Sequence, residues 1–531
     1  LRRDLGDFQT PPELVEEVLD ALEPISTRWR RVLEPTCGRG HFIAGLLARA
    51  RAPVDMIGIE IQESHFQVSR NVAFQSSSSL GSSVDIRHGD IFALDLAHDL
   101  EWRTSGPLLV IGNPPWVTSA QLGRLGCRAG APRGNPKLLR GLDALTGSSN
   151  FDIAEAIWLK LIVELADQQP TIALLCKTSV ARGLLQFAQR GRLPIGDASI
   201  RRIDAARWFH AAVDACLLMV TVAPGSTCAH VPVLDSLAET TPRTTLGFSR
   251  GWLIADRDAY EPVAFVDGIC PLAWRQGLKH DAADVMELLI DPARGLVRNR
   301  DGESVAVEPE WIFPLLKGAD LGRPQGARPN RGVIVTQHHT GDDTRGLAAS
   351  APALWKYLER HAGRLGERKS SIYRGRPPFS IFGIGPYSFA SYKVAIAGMN
   401  KSPEFHAIGP RDGRPVMLDD TCYFLSCGSR EEAALLATIC NHPSCLDFLR
   451  AASFSDSKRP ITKAVLSRID LGSILGSANW ADLIERASVI AKGIPGEPGA
   501  ETIRDLVGRL SHEWGACSAV QTPRIAAEPT I

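Results

Sequence analysis

The first 225 or so residues alternate short apolar runs with amphipathic stretches of helical period. Val32–Glu34, Met56–Ile61, Val84–His88, Leu108–Gly112, Thr171–Cys176 and Ala215–Val222 read as strands. Glu13–Leu22, His41–Ala50 and Asp152–Ala166 space their apolar residues for one face of a helix. Regular strand–helix alternation predicts an α/β fold, a doubly wound and mainly parallel sheet of Rossmann-like type. Ligands of such sheets lie at the carboxyl ends of the strands. The pair Ile200–Ala205 and Ala215–Val222 is expected as an antiparallel edge. Beyond Pro224 the pattern changes, with turn clusters at Pro324–Gly332, Gly341–Arg345, Arg374–Pro378 and Gly409–Arg414. The expected division is a first domain over 1–235, a mixed, strand-rich second domain over 236–475, and a helical tail over 476–531 with a disordered end.

Composition narrows this picture only a little. The chain has 531 residues, 44% of them hydrophobic and 22% charged, which suits a globular protein of two domains. No apolar run approaches the ~20 residues that cross a bilayer, and no apolar signal core opens the chain, so a cytoplasmic, nucleoid-associated protein is expected. Formal net charge is zero, which neither advertises nor excludes a basic cleft. The eleven cysteines lack a disulfide-like framework. Cys422, Cys427, Cys440 and Cys445 have a spacing that could suggest zinc, but they flank a strand-like and a helical run and read as buried thiols; no metal is expected.

Four short signals stand in order at the predicted strand ends. Glu34-Pro35-Thr36-Cys37-Gly38-Arg39-Gly40 joins a strand to a helix, and its glycines let a ligand approach the backbone at a helix N-terminus. Glu60, followed by Ile61, ends the second strand, where a carboxylate can accept both hydroxyls of a ribose. Asp90 follows the third strand and could accept from an adenine amine, with Ile91 or Phe92 covering the ring. Each of these, seen alone, is also an ordinary turn or a solvated acid. The fourth signal, Asn113-Pro114-Pro115-Trp116, is the sharpest. Two prolines stiffen the chain and remove backbone donors, so the Asn113 side-chain oxygen and the Pro114 carbonyl can face one exocyclic amine together. Two hydrogen bonds from that amine would favour a tetrahedral nitrogen with its lone pair aimed at an electrophilic methyl group. Trp116 offers a flat face for a base.

On these motifs residues 1–225 resemble the catalytic domain of the gamma group of DNA amino-methyltransferases of restriction–modification systems. Asp7-Phe8-Gln9-Thr10-Pro11-Pro12 matches the cofactor motif that this group carries ahead of the others. The resemblance implies S-adenosyl-L-methionine as cofactor, contacted by Phe8, Thr10 and Pro11. Glu34, Gly38 and Gly40 would shape its methionine end, Glu60 and Ile61 the ribose, and Asp90 and Ile91 the adenine. Asn113, Pro114, Pro115 and Trp116 would be catalytic, and Phe209 would stack on the target base opposite Trp116. Asn150–Trp158 resembles the following motif, which puts Asp152 near cofactor or target. Arg39 between the glycines and Trp in place of Tyr or Phe at 116 depart from the pattern without removing a needed group.

The implied reaction is methylation of N6 of an adenine flipped out of double-stranded DNA. The second domain would recognise the target, with Arg374, Arg376, Lys393, Lys458 and Arg459 as DNA-contacting candidates among interleaved aromatics. A monomer is expected, with any restriction endonuclease on a separate chain. Readings left open are N4 of cytosine, an RNA adenine, a protein glutamine, and a non-catalytic DNA-specificity subunit.

Overall fold

In the computed structural model, described over residues 9–24, 28–76, 81–117, 152–191, 193–291, 293–324 and 327–520, a ten-stranded sheet organises the first compact unit, Leu1–Asp258. Its strands are β1 (Arg31–Glu34), β2 (Asp55–Glu60), β3 (Ser83–His88), β4 (Leu108–Gly112), β5 (Thr171–Lys177), β6 (Ile195–Ile203), β7 (Ala215–Val222), β8 (His230–Leu234), β9 (Thr244–Ser249) and β10 (Trp252–Ile254). Their order across the sheet is β10-β9-β8-β6-β7-β5-β4-β1-β2-β3. β3, β2, β1, β4 and β5 run parallel, and every residue of β2 and β4 is buried, as strands covered on both faces must be.

β7 enters antiparallel between β5 and β6, so the expected antiparallel pair exists but is not an edge. β6 goes on to pair with β8, and β8, β9 and β10 continue the sheet as antiparallel neighbours. Those three strands are short and separated by turns such as Thr240-Thr241-Pro242-Arg243, so their pattern reads as irregular chain. The boundary between the two units accordingly falls at 258/259, later than the sequence-based 235/236.

The helices of this unit are α1 (Pro12–Ala21), α2 (His41–Arg49), α3 (Glu63–Ser76), α4 (Ile153–Glu164), α5 (Thr178–Gly191) and α6 (Ala205–Phe209). α1 starts with Pro at its first position, where a missing N–H costs nothing, and buries Leu14, Val15, Val18 and Leu19 on one face. α4 is apolar nearly all round and is capped by Asp152, whose Oδ1 accepts from the Ala154 N–H at 3.1 Å.

The second unit, Ala259–Ile531, holds two sheets. Five strands, β12 (Glu287–Asp291), β13 (Leu296–Asn299), β14 (Ile312–Leu316), β15 (Arg331–Ile334) and β18 (Met417–Leu418), lie in the order β13-β12-β15-β14-β18. Four, β11 (Arg275–Gln276), β16 (Tyr392–Ala397), β17 (Phe405–Ile408) and β19 (Cys422–Cys427), lie in the order β11-β19-β16-β17. The predicted mixed, strand-rich character is therefore present. The helical tail does not stand apart from it. α7 (Arg430–Cys440), buried along almost its whole length, packs against α8 (Trp480–Lys492) and α9 (Ile503–Val520) of that tail. The last eleven residues, expected to be disordered, lie outside the described residues.

Candidate active site

Because β3, β2, β1 and β4 are neighbours, their carboxyl ends bring the four sequence signals into one row. Glu60 and Glu34 end β2 and β1, Asp90 and Asn113 come just after β3 and β4, and Glu34 stands in register with Gly58, two residues before Glu60. The glycine loop between β1 and α2 is tied to β2 by the Cys37 N–H donating to the Ile59 carbonyl at 2.8 Å. Gly38 and Gly40 have φ of +52° and +80°, a region that side chains rarely tolerate. A Cβ on Gly40 would stand 3.2 Å from the Ser69 Cβ of α3, so the loop needs both its conformation and its bareness.

Glu60 is buried and its carboxylate is held at both oxygens. Oε2 accepts from the Gly38 N–H at 2.8 Å and Oε1 from the Gln62 N–H at 2.7 Å. Glu34 is only 3% exposed, and its Oε2 has no hydrogen-bond partner among the described residues. Burial, and then the Glu60 carboxylate, push the Glu34 carboxyl well above the usual carboxylate range, while a backbone hydrogen bond at Ile43 pulls the other way. The thiol of buried Cys37, facing both acids, is likewise pushed up, first by burial. Asp90 caps the turn that follows it, its Oδ1 accepting from the Phe92 N–H at 3.0 Å. Ile91 points into the core at 5% exposed, Phe92 is half-buried and Ile61 is largely exposed, so Phe92 is the better placed of the hydrophobic candidates after β3.

The N-terminal cofactor motif lies over the glycine loop. Gln9 Oε1 accepts from the Arg39 N–H at 3.1 Å, and a Cβ on Gly38 would be 2.7 Å from that oxygen. The buried Thr10 offers its carbonyl to His41 Nδ1 at 2.6 Å, and Pro11 is the N-cap of α1. Phe8 lies outside the described residues. Gln9, Thr10, Glu34, Thr36, Cys37, Gly38, His41, Phe42 and Asn113 together border an open cleft. The hydroxyl of Thr36, like Glu34 Oε2, is buried without a partner among the described residues. Bare polar atoms at the floor of a glycine-lined cleft fit a polar, charged ligand such as the methionine end of S-adenosylmethionine.

The aromatic pair is arranged differently from a sandwich. Trp116, 5% exposed, has its ring edge-on to Phe209, 6% exposed, with centroids 5.1 Å apart and planes at 74°. The Trp116 Nε1–H donates to the Leu175 carbonyl at 3.4 Å. Stacking a base between two rings needs them about 7 Å apart, twice the contact distance of carbon on carbon. In this conformation the two side chains therefore close on each other, and α6, which carries Phe209 at its end, would have to yield for a base to enter.

One partnership had no signal in the sequence. Lys177, the last residue of β5, donates to Asp152 Oδ2 at 2.9 Å while Asp152 caps α4. Residues 118–151 lie outside the described set, including the Asn150 start of the following motif, yet the Val117 carbonyl accepts from the Ile153 N–H at 3.0 Å. Val117 is thus anchored directly to α4. Glu155, on the first turn of α4, is pushed up to about 7 by burial and then by the charge of Asp152.

Of the DNA-contacting candidates, Arg374, Arg376 and Lys458 are exposed, with Arg376 6.0 Å over the Phe382 ring. Arg459 is half-buried and tied to Asp420, its Nη1 donating to the backbone carbonyl at 2.9 Å. Lys393 corrects the expectation. It is 1% exposed in β16, between β17 and β19, and its ammonium donates to the Ala390 carbonyl at 2.5 Å, so it presents no cation to a partner.

No family model matches the sequence. The type II methyltransferase M.NspV of Nostoc sp. (strain ATCC 29411 / PCC 7524) is 35% identical over 470 residues, a match covering 88% of this chain and 96% of that protein. Among solved structures, the type IIL restriction–modification enzyme MmeI in complex with DNA aligns over 97% of this chain and 75% of its own, with a TM-score of 0.51 and 13% identity. The last likeness is one of fold.

Proposed function

Because the chain belongs to the type II DNA methyltransferases of restriction–modification systems, we propose that it methylates N6 of an adenine turned out of double-stranded DNA. The observation that carries this reading is the position of Asn113, which directly follows β4 and borders the same cleft as Glu34 and the glycine loop. Asparagine at this position favours adenine over N4 of cytosine. S-adenosylmethionine, when bound, supplies an electrophilic methyl group on a sulfonium sulfur that departs as a neutral thioether.

The chain's own groups then have distinct tasks. Glu34, Thr36, Gly38 and Gly40 hold the methionine end, Glu60 the ribose, and Asp90 with Phe92 the adenine moiety of the cofactor. The Asn113 side-chain oxygen and the Pro114 carbonyl accept the two protons of the target amine and turn its lone pair toward the methyl group. With the methyl group that the cofactor would supply, the amine nitrogen would gain one bond to carbon and give up one proton to water. Catalysis on this scheme is positioning and preorganised polarity. Trp116 and Phe209 part to take the base between them, exchanging one aromatic contact for two. The second unit supplies target recognition, with Arg374, Arg376 and Lys458 offered to phosphates or base edges. The protein acts as a monomer, and any endonuclease partner is separately encoded.

The test is long-read sequencing of DNA from a methylation-deficient host expressing the chain, beside Asn113→Ala. N6-methyladenine at one short motif, lost in the variant, is the expected result. N4-methylcytosine would replace the adenine assignment, and unmodified DNA would overturn the substrate.

A further inference from the structure

Among the described residues the cofactor cleft is bordered by one buried acid, Glu34, and by no lysine or arginine, while a second buried acid, Glu60, ends the neighbouring strand β2. Glu60 has both oxygens engaged by backbone N–H groups. Glu34, on the adjacent strand, is the more deeply enclosed acid, and its Oε2 has no described partner. The other groups facing it are the Cys37 thiol and the His41 ring, Thr36, and the amide of Asn113; the Arg39 side chain is exposed. A second carboxylate so deeply buried beside Glu60 is electrostatically costly even with the backbone hydrogen bond at Ile43, and a proton on Glu34 removes the cost.

Resting on the cofactor assignment above, we propose that Glu34 is protonated in the empty cleft and exchanges its proton for the cationic methionine end of S-adenosylmethionine, so that cofactor capture is proton-linked. The same direction follows from the displaced titration of this carboxyl, which burial and Glu60 drive upward. A ligand cation stabilises the ionised form, so affinity rises with pH until Glu34 is ionised in the free protein as well.

The experiment is calorimetric titration of S-adenosylmethionine into the full chain at pH 7, in two buffers of different ionisation enthalpy, for wild type and Glu34→Gln. Glutamine imitates the protonated acid and should leave the fold intact. Wild type is expected to release about one proton per cofactor bound. Glu34→Gln is expected to bind about tenfold more weakly, release none, and lose the rise of affinity between pH 6 and 8. Buffer-independent heat in wild type overturns the proposal whatever the variant does. Release that survives in Glu34→Gln also overturns it, assigning the proton to a group such as His41. A folded wild type that does not bind S-adenosylmethionine at all would remove the functional reading along with this inference.

Discussion

Asn113→Ala separates the chemistry from the binding more sharply than any other single change. Two acceptors are assigned to the target amine, and only one is a side chain; the Pro114 carbonyl is backbone and survives the substitution. Loss of one preorganised hydrogen bond at a reacting group costs roughly 10²–10³ in kcat, or about 2.7–4 kcal/mol. The cofactor side is far less exposed to the change. Glu34 and Glu60, at the ends of neighbouring strands, and Gly38, in the loop after β1, keep their contacts, so cofactor affinity should fall by no more than about fivefold, the value of one modest hydrogen bond. Asn113 is half-buried at the end of β4, and the loss of stability should stay near 1 kcal/mol. Single-turnover transfer of a labelled methyl group to unmethylated DNA, with equilibrium cofactor binding measured in parallel, reads both terms. A parallel fall of both, or an undiminished single-turnover rate, would refute the role given to Asn113.

Three further outcomes follow from the same geometry. Glu155 titrates near 7 in the folded chain against an ordinary 4.5, so its contribution to stability is complete below 4.5 and is lost as pH rises through 7. Glu155→Gln should therefore melt with wild type at pH 4.5 and above it at pH 8, by about 3 kcal/mol; a difference independent of pH would contradict the assignment. Burial drives Lys393 down to about 7 from 10.5, so the unfolded chain binds a proton there that the folded chain resists, and wild-type stability should climb between those values. Lys393→Met should gain about 2–4 kcal/mol at pH 7, the advantage fading toward pH 10 in thermal melts. Arg374→Ala with Arg376→Ala should raise the KM for DNA and flatten its salt dependence by about two counterions, leaving cofactor affinity unchanged; an unaltered salt slope would take both arginines off the DNA.

What the sequence reveals and what it hides have a common physical origin. β2 and β4 are apolar, regular and bounded by glycine or proline, so periodicity alone places their ends, and with them Glu60 and Asn113. The same logic fails for β8–β10, whose pattern is too short to outweigh the turns between them, although β8 pairs with β6, β9 with β8 and β10 with β9, which makes them part of the first sheet. Side-chain partnerships are harder still, because they are set by which strands become neighbours. Nothing near Lys177 in sequence announces Asp152, 25 residues earlier, as its partner. Trp116 and Phe209 are legible as two aromatics, but their mutual contact depends on the fold that brings the end of α6 to Trp116. Lys393 misleads for the opposite reason: a lysine among Tyr392, Val394 and Ile396 looks like the exposed face of an alternating strand, yet β17 and β19 flank β16 and both its faces are covered. Glu34 joins the two levels. Its place at a strand end is a sequence fact, whereas the upward displacement of its carboxyl comes first from burial and then from Glu60 on the neighbouring strand, and both exist only once β1 and β2 have paired. The chemistry of the cleft is thus written in local motifs, but the electrostatics that tune it belong to the register of the sheet.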